Sequence, residues 1–446
     1  KKESTFLIFQ LQSEIIMSPE NSETIRPFPR EPLPERFCNF DRLLEMLELW
    51  NLDGLVLSSE KNVFYLSGFN PIAHKGDEPR PYALILSRFE PEHPILLVAD
   101  YYLGHFASQP SWVKDIRPVR AVMLPKDLPA SENDLDRFIP ETIQNQPWVQ
   151  NAREQYATSL ASGCKEALRT LGLTDKRLGF DELRLARRIG LNTSQVEDAY
   201  DVMMQTRKIK TETELQLLRT ATDLNQQAID QTVQSWQKGM SWKELGQVYH
   251  QSATSLGGFI HDPGGMVLAH PTGQDPGVWL QTGFEDFVVE EGTHVMFDCH
   301  GTWNQYCWDG GKTWVVGGAP DGTSALAASA TAEAMRVIED AMRPGTGITE
   351  LQRLGRDVYR KMGVPRPESV LIFFHGLGLS HMDLEEIQSD GTPLGDWCME
   401  AGMVVATHLL WPGGAKERIW LEDVALVGQD GAEPFFRWDF DPITGP

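Results

Sequence analysis

The sequence predicts two successive domains, an α/β domain followed by an α+β domain, on three observations. From residue 36, apolar residues at helical spacing (Phe40, Leu43, Leu44, Met46, Leu47, Leu49) give way to the short apolar run 54–57, so a helix feeds a strand. Between residues 294 and 316, two apolar runs flank a turn region holding Gly301, Gly310 and Gly311, which reads as a hairpin. Past residue 200, strand-like runs alternate with pairs of helical stretches, and 446 residues suffice for two or three domains.

The elements follow in order. Residues 1–36 are expected to form an extended or disordered arm. Its apolar run 6–9, after Lys1 and Lys2, is interrupted by Gln10, Gln12 and Glu14, too early for a membrane span or a signal peptide. Residues 17–34 are rich in Pro, Glu and Ser, and Met17 is a candidate natural start. Residues 37–200 make the α/β domain, with further strands at 82–86, 94–98 and 177–180 and a helix within 154–171. Residues 201–446 make the second domain. There Thr211 or Thr213 caps a helix through Leu215, Leu218, Ala221 and Leu224, and Ser241 with Glu244 forms a capping box for the next. Helices recur near 324–341 and 350–361.

Composition narrows the partners. Forty basic residues against 63 acidic ones leave a net charge of −23, which disfavours nucleic acid and anionic membranes. The five cysteines (Cys38, Cys164, Cys299, Cys307, Cys398) are odd in number and scattered, suggesting neither a disulfide framework nor a zinc ribbon and fitting a reducing, cytoplasmic compartment. Cys299 and Cys307 lie in the hairpin, where a thiolate ligand is conceivable and buried core filling is the commoner role.

Four chain segments carry chemistry. Asp298 and Asp309 stand on the two flanks of the hairpin. Opposed carboxylates repel each other, and a hard or borderline cation is the usual reason for such a pair. His375 ends an apolar run just before Gly376 and Gly378, and His408 ends the buried-strand pattern 402–408. Glu422 sits inside the apolar strand 419–427, where an unpaired carboxylate is costly.

Taken in order, Asp298, Asp309, His375, His408 and Glu422 resemble the ligand series of the pita-bread metallohydrolases, which include methionine aminopeptidase, aminopeptidase P, prolidase and creatinase. Residues 62–69, NVFYLSGF, are similar to the NIxYLTGF signature in the amino-terminal domain of the last three, and residues 203–214 resemble the entry to their catalytic domain. The resemblance spans residues 37–430. It implies a creatinase-like amino-terminal α/β domain, a pita-bread α+β catalytic domain, and one or two divalent ions (Mn, Fe, Co or Zn) held by those five residues. It also implies a homodimer in which one subunit's amino-terminal domain approaches the other's site.

Several positions depart from that family. His408 stands where the family has Glu in T-I-E-P, lowering the ligand charge from −4 to −3. A hydroxide then restores the balance, or a single metal is held, and His375 with His408 and a carboxylate would suit one iron with open positions. His381 follows His375 by six residues where peptidases of the family have seven, and its implied role is to hold a substrate carbonyl or carboxylate. Lys312 replaces an Arg, giving up a bidentate fork. The catalytic His that precedes the first Asp by 17 or 18 residues in the resembled enzymes has no counterpart at 278–280. His270 is the candidate if its loop folds back, with His261 second.

The resemblance implies a metal-dependent hydrolase of a C–N bond in a small molecule or short peptide, Xaa-Pro peptidase- or creatinase-like, in which the metal activates water and polarises a carbonyl. His408 and the shifted His381 predict a poor general dipeptidase. An altered ligand set also fits a lyase resembling dimethylsulfoniopropionate lyase, which cleaves C–S by β-elimination. A metal-free interaction module, as in histone-chaperone subunits on the same fold, is the third class, and retention of Asp298, Asp309, His375 and Glu422 argues against it.

Overall fold

The computed structural model describes residues 26–30, 32–34, 36–71, 80–120, 132–260, 265–273, 286–384, 390–393 and 395–446. The expectations for residues 1–25, His261 and 278–280 lie outside the described residues.

The first half begins with α1 (Phe40–Leu49), whose N-cap Asn39 accepts from the Arg42 amide and whose inner face buries Phe40, Leu43 and Leu47. It feeds the fully buried β1 (Gly54–Leu57). The signature segment 62–69 falls mostly in helix α2 (Glu60–Ser67), capped by the Ser59 side chain and ended by Gly68 at φ 73°, a left-handed position that glycine takes without strain. Strands β2 (Tyr82–Ser87), β3 (Ile95–Ala99), β4 (Asp115–Val119), β5 (Leu178–Phe180) and β6 (Val196–Asp198) complete a sheet of order β4-β3-β2-β1-β5-β6. The pairs β1–β2 and β2–β3 are antiparallel, and β3–β4, β1–β5 and β5–β6 are parallel.

The helix expected within 154–171 is found as α4 (Leu160–Thr170), which starts later because Ser159 and Ser162 form a reciprocal capping box there, and a separate helix α3 (Pro147–Glu154) precedes it. Sequence periodicity does not reveal β4 and β6, since both are polar edge strands carrying Asp115, Arg117, Glu197 and Asp198.

After α5 (Leu183–Ile189) and α6 (Tyr200–Arg207), the chain enters α7 (Glu212–Ser235) through a capping box of Thr211 with Glu214, so Thr211 rather than Thr213 is the cap. Helix α8 (Trp242–Ser255) starts at the Ser241–Glu244 box. The second sheet contains β7 (Gly265–Leu268), β8 (His294–Cys299), β11 (Gly311–Val315), β12 (Leu371–Gly376), β13 (Val404–Trp411) and β14 (Ile419–Val427), in the order β12-β13-β14-β11-β8-β7. A small hairpin of β9 (Gly301–Trp303) and β10 (Tyr306–Trp308) projects from between β8 and β11. It turns through Asn304 and Gln305, at φ 48° and 75°, as a two-residue hairpin turn requires. Asp298 and Asp309 are thereby brought to its base, where the Cys299 amide donates to the Gly310 carbonyl at 3.4 Å.

Alternation along the strands sorts this sheet into two faces. One face, with Ile372, Phe374, Val405, Leu409 and Leu421, packs under α9 (Gly322–Ala341) and α10 (Ile348–Lys361), which supply Ala334, Ile338, Leu351 and Tyr359. Elsewhere Val295, Phe297 and Trp314 pack with Leu218, Leu224 and Tyr249 of α7 and α8. The opposite face carries Leu268, Met296, Leu410 and Trp420, with Met266 and Phe373 alongside, and it also presents the charged and histidine side chains described below.

The two halves meet through a buried polar network. Asp181 accepts from the Ser58 and Ser59 amides and from Asn62 Nδ2, Arg207 reaches Asn62 Oδ1 at 2.5 Å, and Asp383 pairs with Arg207 at 3.0 Å and with Lys210 at 3.2 Å. Residues 26–30 cross back to the second half, where the Phe28 amide donates to the Leu256 carbonyl. No helix among the described residues is long and apolar enough to cross a membrane.

Candidate metal centre

Strand register places the predicted donors side by side. Glu422 on β14 faces His408 on β13 and Gly311 on β11, while Phe373, two residues before His375 on β12, faces His408 from the other side. Met266 pairs with Asp298, and Asp309 precedes β11 directly. His408 lies in mid-strand rather than at a strand end, so its ring is held by neighbours on both sides. Phe373 stacks on it at 4.0 Å and Trp420 meets it edge-on at 5.5 Å.

The structure brings together six residues: Asp298, Asp309, His375, His381, His408 and Glu422. Three overlapping triads, Asp309–His375–His381, His375–His408–Glu422 and Asp298–Asp309–Glu422, each have donor atoms within 4.8 Å of one another. His375 Nε2 lies 3.4 Å and His381 Nδ1 3.3 Å from Asp309 Oδ2, and His408 Nε2 lies 3.3 Å from Glu422 Oε1. His375 Nδ1 sits 3.1 Å from the Gly376 carbonyl, so the ring proton belongs there and Nε2 offers its lone pair to the cluster.

Electrostatics shows what the cluster lacks. Burial, and then the neighbouring Asp309, push the Asp298 carboxyl up to about 7, and burial pushes Asp309 up to about 7. Burial together with Asp309 and Asp298 raises Glu422 well above the usual carboxylate range. Burial lowers His375 to about 4 and His408 well below the ordinary imidazole value, and it lowers His381 as well. Protein groups alone thus disfavour the charged form of every member. Among the described residues, Asp309 Oδ2, His375 Nε2, His381 Nδ1, both nitrogens of His408 and both oxygens of Glu422 are buried with no hydrogen-bond partner. Buried polar atoms are ordinarily paired, and five residues from four segments that each bring such an atom into overlapping triads fit a cation.

His270 is not brought into this cluster. Two residues past β7, it follows the register in which Leu268 faces Met296, which sets it well along β8 from Asp298, and its Nε2 lies 2.5 Å from the Arg418 guanidinium. Burial and that guanidinium lower it to about 4. Arg418 and the β7 pairing hold His270 itself at the far end of the same face. Lys312, in the place of the usual Arg, pairs with Asp439 at 3.1 Å. Cys299 and Cys307 are buried, their thiols pushed up by burial, with Sγ atoms near the Met266 and Leu379 carbonyls rather than in the triads.

Two residues near the centre escape sequence reasoning. His300 is buried with its ring 4.7 Å from that of His381, and the signal for it was its two-residue spacing from Asp298. Lys61 of α2 reaches across from the first half to donate to Ser380 Oγ at 3.2 Å. Nothing in its local sequence announces this. Lys61 lines a cavity of about 320 Å³ together with Phe64, Phe259, Leu379 and His381.

Comparisons with known proteins agree with this arrangement. The family model for the creatinase/prolidase N-terminal domain matches residues 40–209, and that for metallopeptidase family M24 matches residues 216–429. An uncharacterized peptidase of Staphylococcus aureus is 26% identical over 259 residues, covering 56% of this chain and 68% of its own. Among solved structures, the X-Pro aminopeptidase of Thermotoga maritima (TM-score 0.63, 17% identity) and a dipeptidase of Pyrococcus horikoshii (TM-score 0.67, 17% identity) each cover 91% of this chain and 99% of their own. The Xaa-Pro dipeptidase of Bacillus anthracis, 18% identical with TM-score 0.63, covers the same shares. At such identities these likenesses establish the fold, a creatinase-type domain followed by a pita-bread domain. Divalent metals are typical of the family, and the donor groups described above could hold one. The chain belongs to metallopeptidase family M24, in the branch that carries a creatinase/prolidase amino-terminal domain.

Proposed function

We propose that the protein is a metal-dependent hydrolase of a C–N bond in a small peptide or amide-like substrate, with Asp298, Asp309, His375, His408 and Glu422 among its metal ligands. The observation that carries this reading is the set of buried, partnerless donor atoms converging on one face of the second sheet. A bound divalent ion would supply water activated at neutral pH and polarisation of the scissile carbonyl.

The chain's own residues supply the rest. Phe64, Phe259 and Leu379 line the adjoining cavity with apolar surface and exclude water from a substrate side chain. Lys61 has no carboxylate at ion-pair distance among the described residues, whereas Arg207 and Lys210 are answered by Asp383. Lys61 therefore offers its ammonium to a negative group at the end of the substrate. About 320 Å³ suits a substrate the size of a dipeptide. A homodimer in which a second subunit completes the mouth is part of the proposal.

The imidazole of His408 amid the carboxylates favours a second reading, a lyase of the same fold, because it moves the centre away from the ligand charge of the family's peptidases. The test is metal content of protein purified without added metal, followed by a screen of Xaa-Pro dipeptides against sulfonium and guanidino compounds. Bound metal with C–N hydrolysis supports the first reading, and C–S elimination without hydrolysis supports the second. Absence of both metal and turnover refutes both.

A further inference from the structure

We infer that His381 is itself a metal ligand, so that the centre is built on three imidazoles, His375, His381 and His408, and not only on the two, His375 and His408, of the ligand set read from the sequence. This rests on the reading of the cluster as a metal centre and deepens it.

The first support is the separation of donor atoms. Two donors each about 2.1 Å from one ion lie about 3.4 Å apart at a tetrahedral angle and about 3.0 Å apart at a right angle. Asp309 Oδ2 is 3.4 Å from His375 Nε2 and 3.3 Å from His381 Nδ1, so both contacts have the length of an edge of one coordination polyhedron. The His408 Nε2–Glu422 Oε1 separation of 3.3 Å is a further such edge.

The second support is where the ring is aimed. A histidine whose task is to hold a substrate carbonyl should direct a donor nitrogen into the cavity. His381 lines that cavity and its side chain is 35% exposed, yet Nδ1 is buried, without a hydrogen-bond partner, and directed at the Asp309 oxygen that His375 also approaches. The His300 ring, 4.7 Å away, and the His375 ring, 5.1 Å away, restrict its rotation. With the proton on the ring edge that faces the cavity, Nδ1 presents its lone pair to the cluster.

The third support is the chain spacing. His381 follows His375 by six residues on a turn beyond β12, and Asp383, two residues on, is tied to Arg207 and Lys210. The Asp383 carboxylate also accepts from the Ser380 amide at 3.2 Å. That anchor pulls the turn toward the domain interface and fixes His381 over Asp309. Three neutral nitrogen donors make the site a better fit for zinc, cobalt or ferrous iron than for manganese or magnesium, which favour oxygen donors.

The experiment uses the full chain, stripped with chelator and reloaded with zinc or cobalt. Affinity is read by competition with a chromophoric chelator, and the imidazole number by X-ray absorption of the zinc form. The wild type should show three imidazoles and bind zinc more tightly than manganese. His381→Ala should weaken zinc by more than about 100-fold, beyond the 10- to 100-fold typical of residues that only support ligands, and should lower the imidazole count by one. His381→Gln, checked by circular dichroism, serves if the alanine variant does not fold. Two imidazoles or fewer in the wild type, or zinc affinity within about threefold in the variants, would overturn the inference while leaving the metal centre standing. Failure of the wild type to bind any of these metals would overturn both.

Discussion

Glu214 offers a test of the fold's electrostatics away from the metal centre. It is the N3 residue of α7, where it accepts from the Thr211 amide at 2.9 Å and from the Tyr306 hydroxyl at 3.1 Å. Despite these donors and nearby Lys210, burial dominates and raises its carboxyl from 4.5 to about 7. A carboxyl raised in the folded state contributes stability that is fully present below the unfolded value and is lost as pH rises through the folded one. With those two values, 4.5 and about 7, the full effect is about 3 kcal/mol, most of which falls between pH 5 and pH 8. Glu214→Gln removes the titration and mimics the protonated carboxyl: its one oxygen accepts from the Thr211 amide, and its NH2 donates to the Tyr306 hydroxyl oxygen. Relative to wild type, the variant should therefore gain about 2 to 3 kcal/mol of stability on going from pH 5 to pH 8. Urea unfolding of both proteins, stripped of metal, at the two pH values measures this. The carboxylates of the metal centre titrate alike in both and cancel. Parallel pH profiles would refute the assignment of a buried, proton-holding Glu214.

Two further outcomes follow from the site. His408→Glu raises the ligand charge from −3 to −4 and supplies oxygen donors, so manganese or cobalt occupancy should rise toward two per chain by elemental analysis while the native reaction falls; equal stoichiometry and activity would place His408 outside the coordination shell. Gly311→Ala should lower the melting temperature and weaken metal binding together. Gly311 has φ 149° and an added Cβ would stand 2.5 Å from the Phe297 carbonyl oxygen, between the strands that carry Asp298 and Glu422, and such overpacking costs about 1–3 kcal/mol, more with backbone strain added. An unchanged unfolding midpoint would contradict the tight crossing of β8 and β11.

Much of this molecule was legible from its chain because its strongest signals are local. The periodicity of α1, the capping boxes at Thr211 and Ser241, and the apolar strands around Glu422 each announce themselves within a dozen residues. Convergence of Asp298, Asp309, His375, His408 and Glu422 was legible only through ligand order, since the register that aligns β14 with both β13 and β11 joins segments more than a hundred residues apart. The contact of His270 with Arg418 on another strand was not legible, because spacing along the chain says nothing of it. Lys61 and His300 were missed for the complementary reason. A lysine before a helical motif and a histidine beside an aspartate look ordinary until the opposite wall of the cavity is present. The polar edge strands β4 and β6 were hidden because a strand with one neighbour has no need of a continuous apolar pattern.

The reach of Lys61 to Ser380 across the domain boundary divides labour within one chain. Every donor of the candidate metal cluster comes from residues after 290, whereas the ammonium beside the adjoining cavity comes from a helix near residue 60. On the proposed reading, the metal donors are written in one stretch of sequence and part of the substrate's grip in another. A lineage could redesign what it consumes by altering a few positions around α2 without disturbing the inorganic machinery, and a loss of docking between the halves would leave a protein that still collects metal but no longer discriminates among the molecules that reach it.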